Sequence, residues 1–369
     1  MTDDPRLTAL AARLPASVPF VGPEAQERAR NQPFSARLGA NESVFGPSPK
    51  AIAAMQAAAS EIWMYADPES HDLRHAIADF HGTTPEHVMV GGGIDTLLGD
   101  LVRLTVAEGD AVVTSAGAYP TFNYHVAGFG GALHTVPYAG DFEDPDRLIA
   151  KAQEVAAKLI YFANPDNPMG SWHGAETVKR MVANVPLGSL LVLDEAYVEL
   201  APEGTAPDID PADPRVIRMR TFSKAHGMAG ARVGYAIGRP EIIDAFNKVR
   251  HHFGINRIAQ IGALAAIKDT DWLDQVRDKV AAARDQISQI ALANGLVPLP
   301  SATNFVAIDC GADGDFARKV LGGLIAQGVF VRMPFVAPQD RCIRISAGQP
   351  EDLALFAEAL PKALDIARS

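Results

Sequence analysis

Cysteine is almost missing from this chain: Cys310 and Cys342 are the only two among 369 residues. Two thiols cannot build a disulfide framework, and no cluster of other ligands surrounds either, so neither a disulfide-stapled scaffold nor a metal site is expected. Positive charge is also in deficit. Against 44 Asp and Glu stand 33 Lys and Arg, a formal net charge of −11, and a chain of that sign repels nucleic acid phosphates and anionic membrane surfaces. No apolar stretch approaches the roughly 20 residues that a bilayer-spanning helix needs. The opening Met1-Thr2-Asp3-Asp4-Pro5 lacks the basic and apolar stretches of a signal peptide. These absences predict a cytoplasmic protein with small-molecule partners, and no nucleic acid, membrane or metal.

What is present is ordinary globular composition, 48% hydrophobic and 21% charged, in a chain too long for one average core. A prior of roughly 100–200 residues per domain suggests two or three units. The first forty residues are rich in Pro, Arg and polar side chains and read as an arm. Helical stretches are predicted over 48–60 and 71–80. From there, short apolar runs alternate with helical ones: strands are predicted over 87–90, 111–115, 159–162, 190–193 and 216–219. Such alternation predicts an α/β fold with a mostly parallel sheet covered on both faces, and ligands in such sheets bind beyond the carboxyl ends of the strands. The glycine-rich and polar segments lie just past those ends. Beyond Arg257 an Ala-rich helical region and strands over 304–308 and 342–345 suit a smaller α+β unit. The expected division is 1–45 (arm and part of the small domain), 46–256 (large domain) and 257–369 (small domain).

Chemistry concentrates at four of the strand ends. Lys224 stands in Ser223-Lys224-Ala225-His226-Gly227, an apolar, glycine-bearing stretch where a surface lysine is out of place; desolvation and a nearby cation such as Arg232 would favour a nucleophilic neutral amine, the state a Schiff-base lysine needs. A snorkelling lysine at a helix start would look similar. Asp194 ends the apolar run Leu190-Leu191-Val192-Leu193, and a buried carboxylate needs a partner; a protonated pyridine nitrogen would serve, although a carboxylate that caps the next turn reads alike. Tyr197 reaches the same place only if the chain bends directly after Asp194. Asn164-Pro165-Asp166-Asn167-Pro168-Met169-Gly170 is turn-dense, with Asn167 a candidate donor to a cofactor oxygen. Gly91-Gly92-Gly93-Ile94-Asp95-Thr96 joins a strand to a helix, whose N-terminal N–H groups suit one phosphate. The sixth position is Thr96 where a dinucleotide fingerprint has glycine, which argues against a nicotinamide oxidoreductase.

In this order along the chain, these motifs resemble the fold-type I pyridoxal-phosphate (PLP) aminotransferases, and within them the histidinol-phosphate aminotransferase group. The resemblance runs from Leu38-Gly39-Ala40-Asn41-Glu42 through Tyr65-Ala66-Asp67-Pro68 to Cys342-Ile343-Arg344-Ile345-Ser346, and is most specific from Thr221 through Lys224 to Arg232-Val233-Gly234-Tyr235. It implies a large domain with a mostly parallel seven-stranded sheet between helices, a smaller α+β domain, and a homodimer with shared active sites. It implies PLP as cofactor, held by Lys224, with Asp194 on the pyridine nitrogen and Asn167 and Tyr197 on the phenolic oxygen. Phe122 matches the ring stacked on the pyridine. Gly93, Ile94, Asp95, Thr221, Ser223 and Arg232 match the phosphate cradle, and Tyr65 a residue reaching the phosphate from the neighbouring subunit. Arg344 matches the clamp on a substrate carboxylate, Arg332 an arginine near the substrate side chain or phosphate, and Asn41 a position on the substrate side.

The cofactor motifs follow the family while the substrate motifs depart from it. Phe122 stands where tyrosine is frequent, Asn41-Glu42-Ser43-Val44 where the family has Asn-Glu-Asn-Pro, and His252-Phe253 where it has a proline–aromatic pair. The expected activity is transfer of an amino group between an amino acid or amino-alcohol phosphate, histidinol phosphate-like or aromatic, and a 2-oxo acid. A PLP decarboxylase of the threonine-phosphate type, or a non-catalytic PLP-fold sensor, would share the cofactor residues.

Overall fold

A computed structural model describes residues 7–16 and 20–369 of the chain; the acidic opening Met1–Pro5 lies outside them. Seven strands form the main sheet: β1 (Val88–Gly91), β2 (Ala111–Ser115), β3 (Ala132–Val136), β4 (Leu159–Ala163), β5 (Leu190–Asp194), β6 (Val216–Thr221) and β7 (Gly234–Ile237). Their spatial order is β1-β7-β6-β5-β4-β2-β3, with β7 antiparallel to both neighbours and every other pairing parallel. β3 and β7 have no counterpart among the strands read from the sequence.

The apolar runs obey a period of two that buries both faces. Along β4, Leu159, Tyr161 and Ala163 enter one core cluster with Val112, Val192, Ile217 and Met219, while Ile160 and Phe162 enter another with Val113, Leu191, Leu193 and Val216. Strands buried on both sides read as continuous hydrophobic runs. Helices α1 (Pro49–Ala58) and α2 (His71–His81) cover the sheet around β1 and β7. α3 (Ile94–Thr105) and α4 (Pro120–Gly128) pack on the Val112–Leu159 side.

A second core lies beyond the main sheet. Short strands β8 (Val297–Pro298), β9 (Phe305–Asp309) and β10 (Cys342–Ser346) pair antiparallel in the order β10-β9-β8, and Ala36–Arg37 of the arm pairs with Val329–Phe330. Ala36, Val306, Ile308, Val329, Ile343 and Ile345 share one cluster with apolar side chains of three long helices, Thr270–Ala293, Gly314–Ala326 and Pro350–Arg368.

The helix Arg257–Ile267 buries Ala259, Ala263, Ala266 and Ile267 among Ala51, Leu73, Ile77 and Val88 of the large unit. Just after this helix, the Asp269 carboxylate accepts the Ser48 hydroxyl and the Lys50 ammonium at 2.6 Å each. One Ala-rich texture runs through both this helix and the next, so composition marks no break between them.

Candidate active site

Period two also aims the site residues. Tyr161 and Ala163 on β4, Asp194 on β5 and Thr221 on β6 continue one face of the sheet at its carboxyl edge, and all four line a cleft of about 350 Å3. Tyr197, Lys224, Arg232, Asn167, Ile94 and Asp95 join them there, with Asn41, Arg332 and Arg344 from the arm and the small unit. The chain turns directly after β5, and this bend brings Tyr197 beside Asp194.

The Lys224 amine donates to the Asn41 carbonyl at 3.0 Å and lies 5.5 Å from the centre of the Tyr197 ring. Asn41, in the left-handed region at φ 56°, is held by Ser346 of β10: its N–H donates to the Ser346 hydroxyl (3.0 Å), which donates back to its Oδ1 (2.9 Å). Its Nδ2 donates to the Tyr197 hydroxyl at 3.2 Å. One arm residue thus fixes both the amine and the phenol.

Asp194 is buried, and its ligands are neutral. The Tyr161 hydroxyl donates to Oδ2 at 2.6 Å and the Ala196 N–H to Oδ1 at 2.9 Å; among the described residues no Lys or Arg forms an ion pair with it. Burial pushes its carboxyl up to about 6, against the pull of the Tyr161 hydrogen bond. Such a carboxylate lacks a cation.

At the far end, α3 begins without a side-chain cap, leaving its first N–H groups free toward the cleft. Gly93 precedes it at φ 90°, and a Cβ there would stand 2.5 Å from Arg232 Nη2. Only glycine therefore admits the guanidinium so close to the helix start. Arg232 donates to the Ser223 hydroxyl (3.3 Å) and the Ala229 carbonyl (2.8 Å). Thr221 and Ser223 complete a cradle of donors around this corner.

The structure separates Phe122 from the cleft, and Tyr65, expected to serve the neighbouring subunit, also lies outside this chain's own. Phe122 is fully buried behind it, stacked on Tyr161 at 4.6 Å between ring centres, and cannot face a ligand. α4 starts at Pro120, so its third residue turns inward, while Tyr119 at the cap lines the cleft and donates its hydroxyl to Asp95 Oδ1 at 2.9 Å. Tyr65 is 80% exposed, against Phe253 at 4.8 Å, outside this chain's cleft.

The substrate side holds two arginines whose main chains bridge each other. Arg344 donates to Asn167 Oδ1 and lies over the Phe305 ring at 5.1 Å; burial lowers its guanidinium to about 10. Arg332 donates to the Val21 carbonyl at 2.8 Å beneath the Phe20 ring. The Nε of each is buried without a partner among the described residues. Phe20, Tyr119 and Tyr161 line the cleft and are absent from the site read in the sequence. Tyr119 had a signal, the Tyr-Pro pair at a helix start; Tyr161 had none, being one more member of an apolar run.

The PLP that the motifs imply has a phosphate, a basic ring nitrogen and an aldehyde. The donor corner at Gly93, the cation-free Asp194 and the Lys224 amine match these three parts within one cleft, so the residues present fit it.

Comparison with known proteins agrees. Residues 36–360 match the family model described as aminotransferase class I and II. A histidinol-phosphate aminotransferase of Anaeromyxobacter sp. (strain Fw109-5) is 35% identical over 87% of this chain and 88% of its own length. The crystal structure of histidinol-phosphate aminotransferase from Sinorhizobium meliloti in complex with pyridoxal-5'-phosphate shares 51% identity and superposes with a TM-score of 0.95, covering 99% of each chain. An aspartate aminotransferase from Thermus thermophilus, 24% identical with a TM-score of 0.78 over 92% of this chain and 94% of its own, shares the fold. These matches favour transamination over decarboxylation or a sensor role, and the chain belongs to the class I and II aminotransferases, PLP-dependent enzymes of fold type I.

Proposed function

We propose that this aminotransferase moves the amino group of histidinol phosphate, or of a similar amine with an anionic tail, to a 2-oxo acid. One juxtaposition carries the reading: a buried carboxylate without a cation and a lysine amine face one cleft that ends in an uncapped helix, with two half-buried arginines on the substrate side. The names of the relatives support the choice of substrate.

In this reading, bound PLP supplies a ring that withdraws electrons from the substrate Cα. Lys224 would hold the cofactor aldehyde, and its amine would take and return the substrate Cα proton. Asp194 keeps the ring nitrogen protonated. Asn167 and Tyr197 hold the phenolic oxygen, with Asn41 aligning Tyr197 and the amine. Gly93, Ile94, Asp95, Thr221, Ser223 and Arg232 hold the phosphate. Tyr119 covers the ring in the part expected of Phe122. Arg344 receives an α-carboxylate and Arg332 a distal anion, each with its free Nε.

A homodimer with shared sites belongs to the same proposal. Ile62, Trp63, Tyr65 and Phe253 leave an apolar cluster in solvent, which suits burial by a second copy and delivery of Tyr65 to the partner's cleft. The free, buried Cys310 and Cys342 suit a cytoplasmic setting. The deciding experiment mixes the purified holoenzyme with a panel of amino donors and follows conversion of its visible absorbance to that of pyridoxamine phosphate. Histidinol phosphate should convert fastest. Faster conversion by an amine without a distal anion would refute the substrate, and carbon dioxide release without a 2-oxo acid would refute the reaction.

A further inference from the structure

The sheet carries a second buried acidic site, beside the cleft and outside its lining. β2 and β4 pair only through Val112–Leu159 and Val113–Ile160, then part toward their carboxyl ends, where the strand order reverses. Glu143, in the connection that follows β3, fills this split. The Ala163 N–H donates to its Oε1 at 3.0 Å and the Ser115 hydroxyl to its Oε2 at 2.5 Å. One side chain thereby supplies rungs that the two strands no longer make to each other.

The Glu143 carboxyl also meets that of Asp166, which accepts the Tyr138 hydroxyl and the Met169 N–H at 3.0 Å each. Both acids are 1% exposed. The other titratable or charged groups facing the pair are Tyr161 from β4, Asp194 from β5, Arg344 from β10 and His173, whose Nε2 meets the Glu143 carbonyl at 2.9 Å. None is a cation bonded to either carboxyl: Arg344 spends its hydrogen bonds on Asn167 and the Gly39 carbonyl, and burial keeps His173 toward its neutral form. Two touching carboxylates in such surroundings cannot both stay ionised, whereas one proton between them turns repulsion into a hydrogen bond.

We propose that Glu143 is a positioning residue: it holds that proton, donates it as a hydrogen bond to Asp166, and so pins the segment 164–170 that presents Asn167 to the cleft. Burial supports this, pushing Asp166 up to about 7 and Glu143 well above the carboxylate range. The consequence for the cleft rests on the site reading given above for Asn167; the shared proton does not.

Glu143→Gln tests the proton, because an amide donates from the same place without titrating. A carboxyl whose folded pKa lies above its unfolded value costs stability as pH rises through the folded pKa. As pH rises from the unfolded carboxylate range toward the folded value of about 7 at Asp166, the wild-type melting temperature should therefore fall more steeply than that of Glu143→Gln. At neutral pH, Glu143→Gln should keep PLP affinity and kcat/KM within about threefold, while Glu143→Ala loses ~10-fold or more, since a misplacement of about 1 Å can cost ~10²-fold. A glutamine variant whose melting temperature falls as steeply as the wild type's, or whose site fails like the alanine variant's, would overturn the proposal. If Glu143→Ala does not fold, Asp166→Asn replaces it in the melting series: a flattened profile supports the shared proton and an unchanged one refutes it. An enzyme that proves inactive on every donor leaves this melting comparison intact, so the two readings fail separately.

Discussion

Asp194 shows how much of the chemistry rests on single contacts. Its carboxyl is buried between a phenol and a main-chain N–H, so its charge is costly without a cation, the part proposed above for a protonated ring nitrogen. Asp194→Asn removes that charge in nearly the same shape. The expected outcome is a loss of kcat on the order of 10²–10³-fold, the range seen when one charge-stabilising group is removed, with a much smaller change in KM; the opposite split would separate Asp194 from the ring nitrogen. The pH dependence follows from the same group. With its carboxyl pushed up to about 6, protein stripped of PLP should bind it more tightly as pH rises through 6, and Asp194→Asn should lose that dependence in an absorbance titration. Arg344→Ala should raise KM for amino acids and 2-oxo acids, which carry an α-carboxylate, by about 10–200-fold, since hydrogen bonds to charged groups contribute ~1.5–3 kcal/mol. Amino alcohols, which lack that carboxylate, should suffer less. Equal loss for both classes in steady-state assays would place Arg344 elsewhere in the mechanism.

Elements present these residues, and their ends matter more than their middles. The start of α3 depends on Gly93 at φ 90°, where any Cβ meets Arg232. Gly93→Ala combines ~1–3 kcal/mol of backbone strain with displacement of the guanidinium, so PLP affinity should fall at least about tenfold, tenfold being about 1.4 kcal/mol; unchanged affinity by fluorescence titration would mean that the phosphate binds elsewhere. Much of this edge was legible in the sequence. Five strands of the main sheet and the polar segments that follow four of them were readable, because strands buried on both faces are plain apolar runs and the site lies where those runs stop. Position along a run made Lys224, Asp194 and Arg232 candidates, with a snorkelling lysine and a turn-capping aspartate still open until the family resemblance implied their roles. What was not legible depends on phase and partner. β3 is half exposed and alternates Ala-Leu-His-Thr-Val, too polar for the pattern, and β7 is four residues opened by a glycine. Phe122 and Tyr119 sit three residues apart at a helix start, and the turn at Pro120 decides which of them faces the cleft. Tyr161 and Glu143 act through groups 33 and 20 residues distant in sequence, which no local pattern reports.

At the scale of the molecule, the arm, the large sheet and the small unit meet at the cleft through Asn41, Lys224 and Arg344, so closure of the units on each other sets the site's geometry. Outside that cleft lies the apolar ridge around Trp63. Trp63 is 81% exposed and Tyr65 80% in the single chain, and an exposed aromatic cluster of this kind is costly in water unless another surface covers it. If a second copy covers it and brings Tyr65 to the phosphate, assembly and cofactor binding are linked, because PLP then binds the dimer better than the monomer. Trp63→Glu buries a charge in that contact. It should yield monomers by sedimentation at concentrations where the wild type is dimeric, with weaker PLP binding that recovers as protein concentration rises. Tyr65→Phe should leave the dimer intact and weaken PLP binding alone, through one lost hydrogen bond to a charged group worth ~1.5–3 kcal/mol. A Trp63→Glu protein that stays dimeric, or a monomer that binds PLP as tightly as the dimer, would break the link between this ridge and the site.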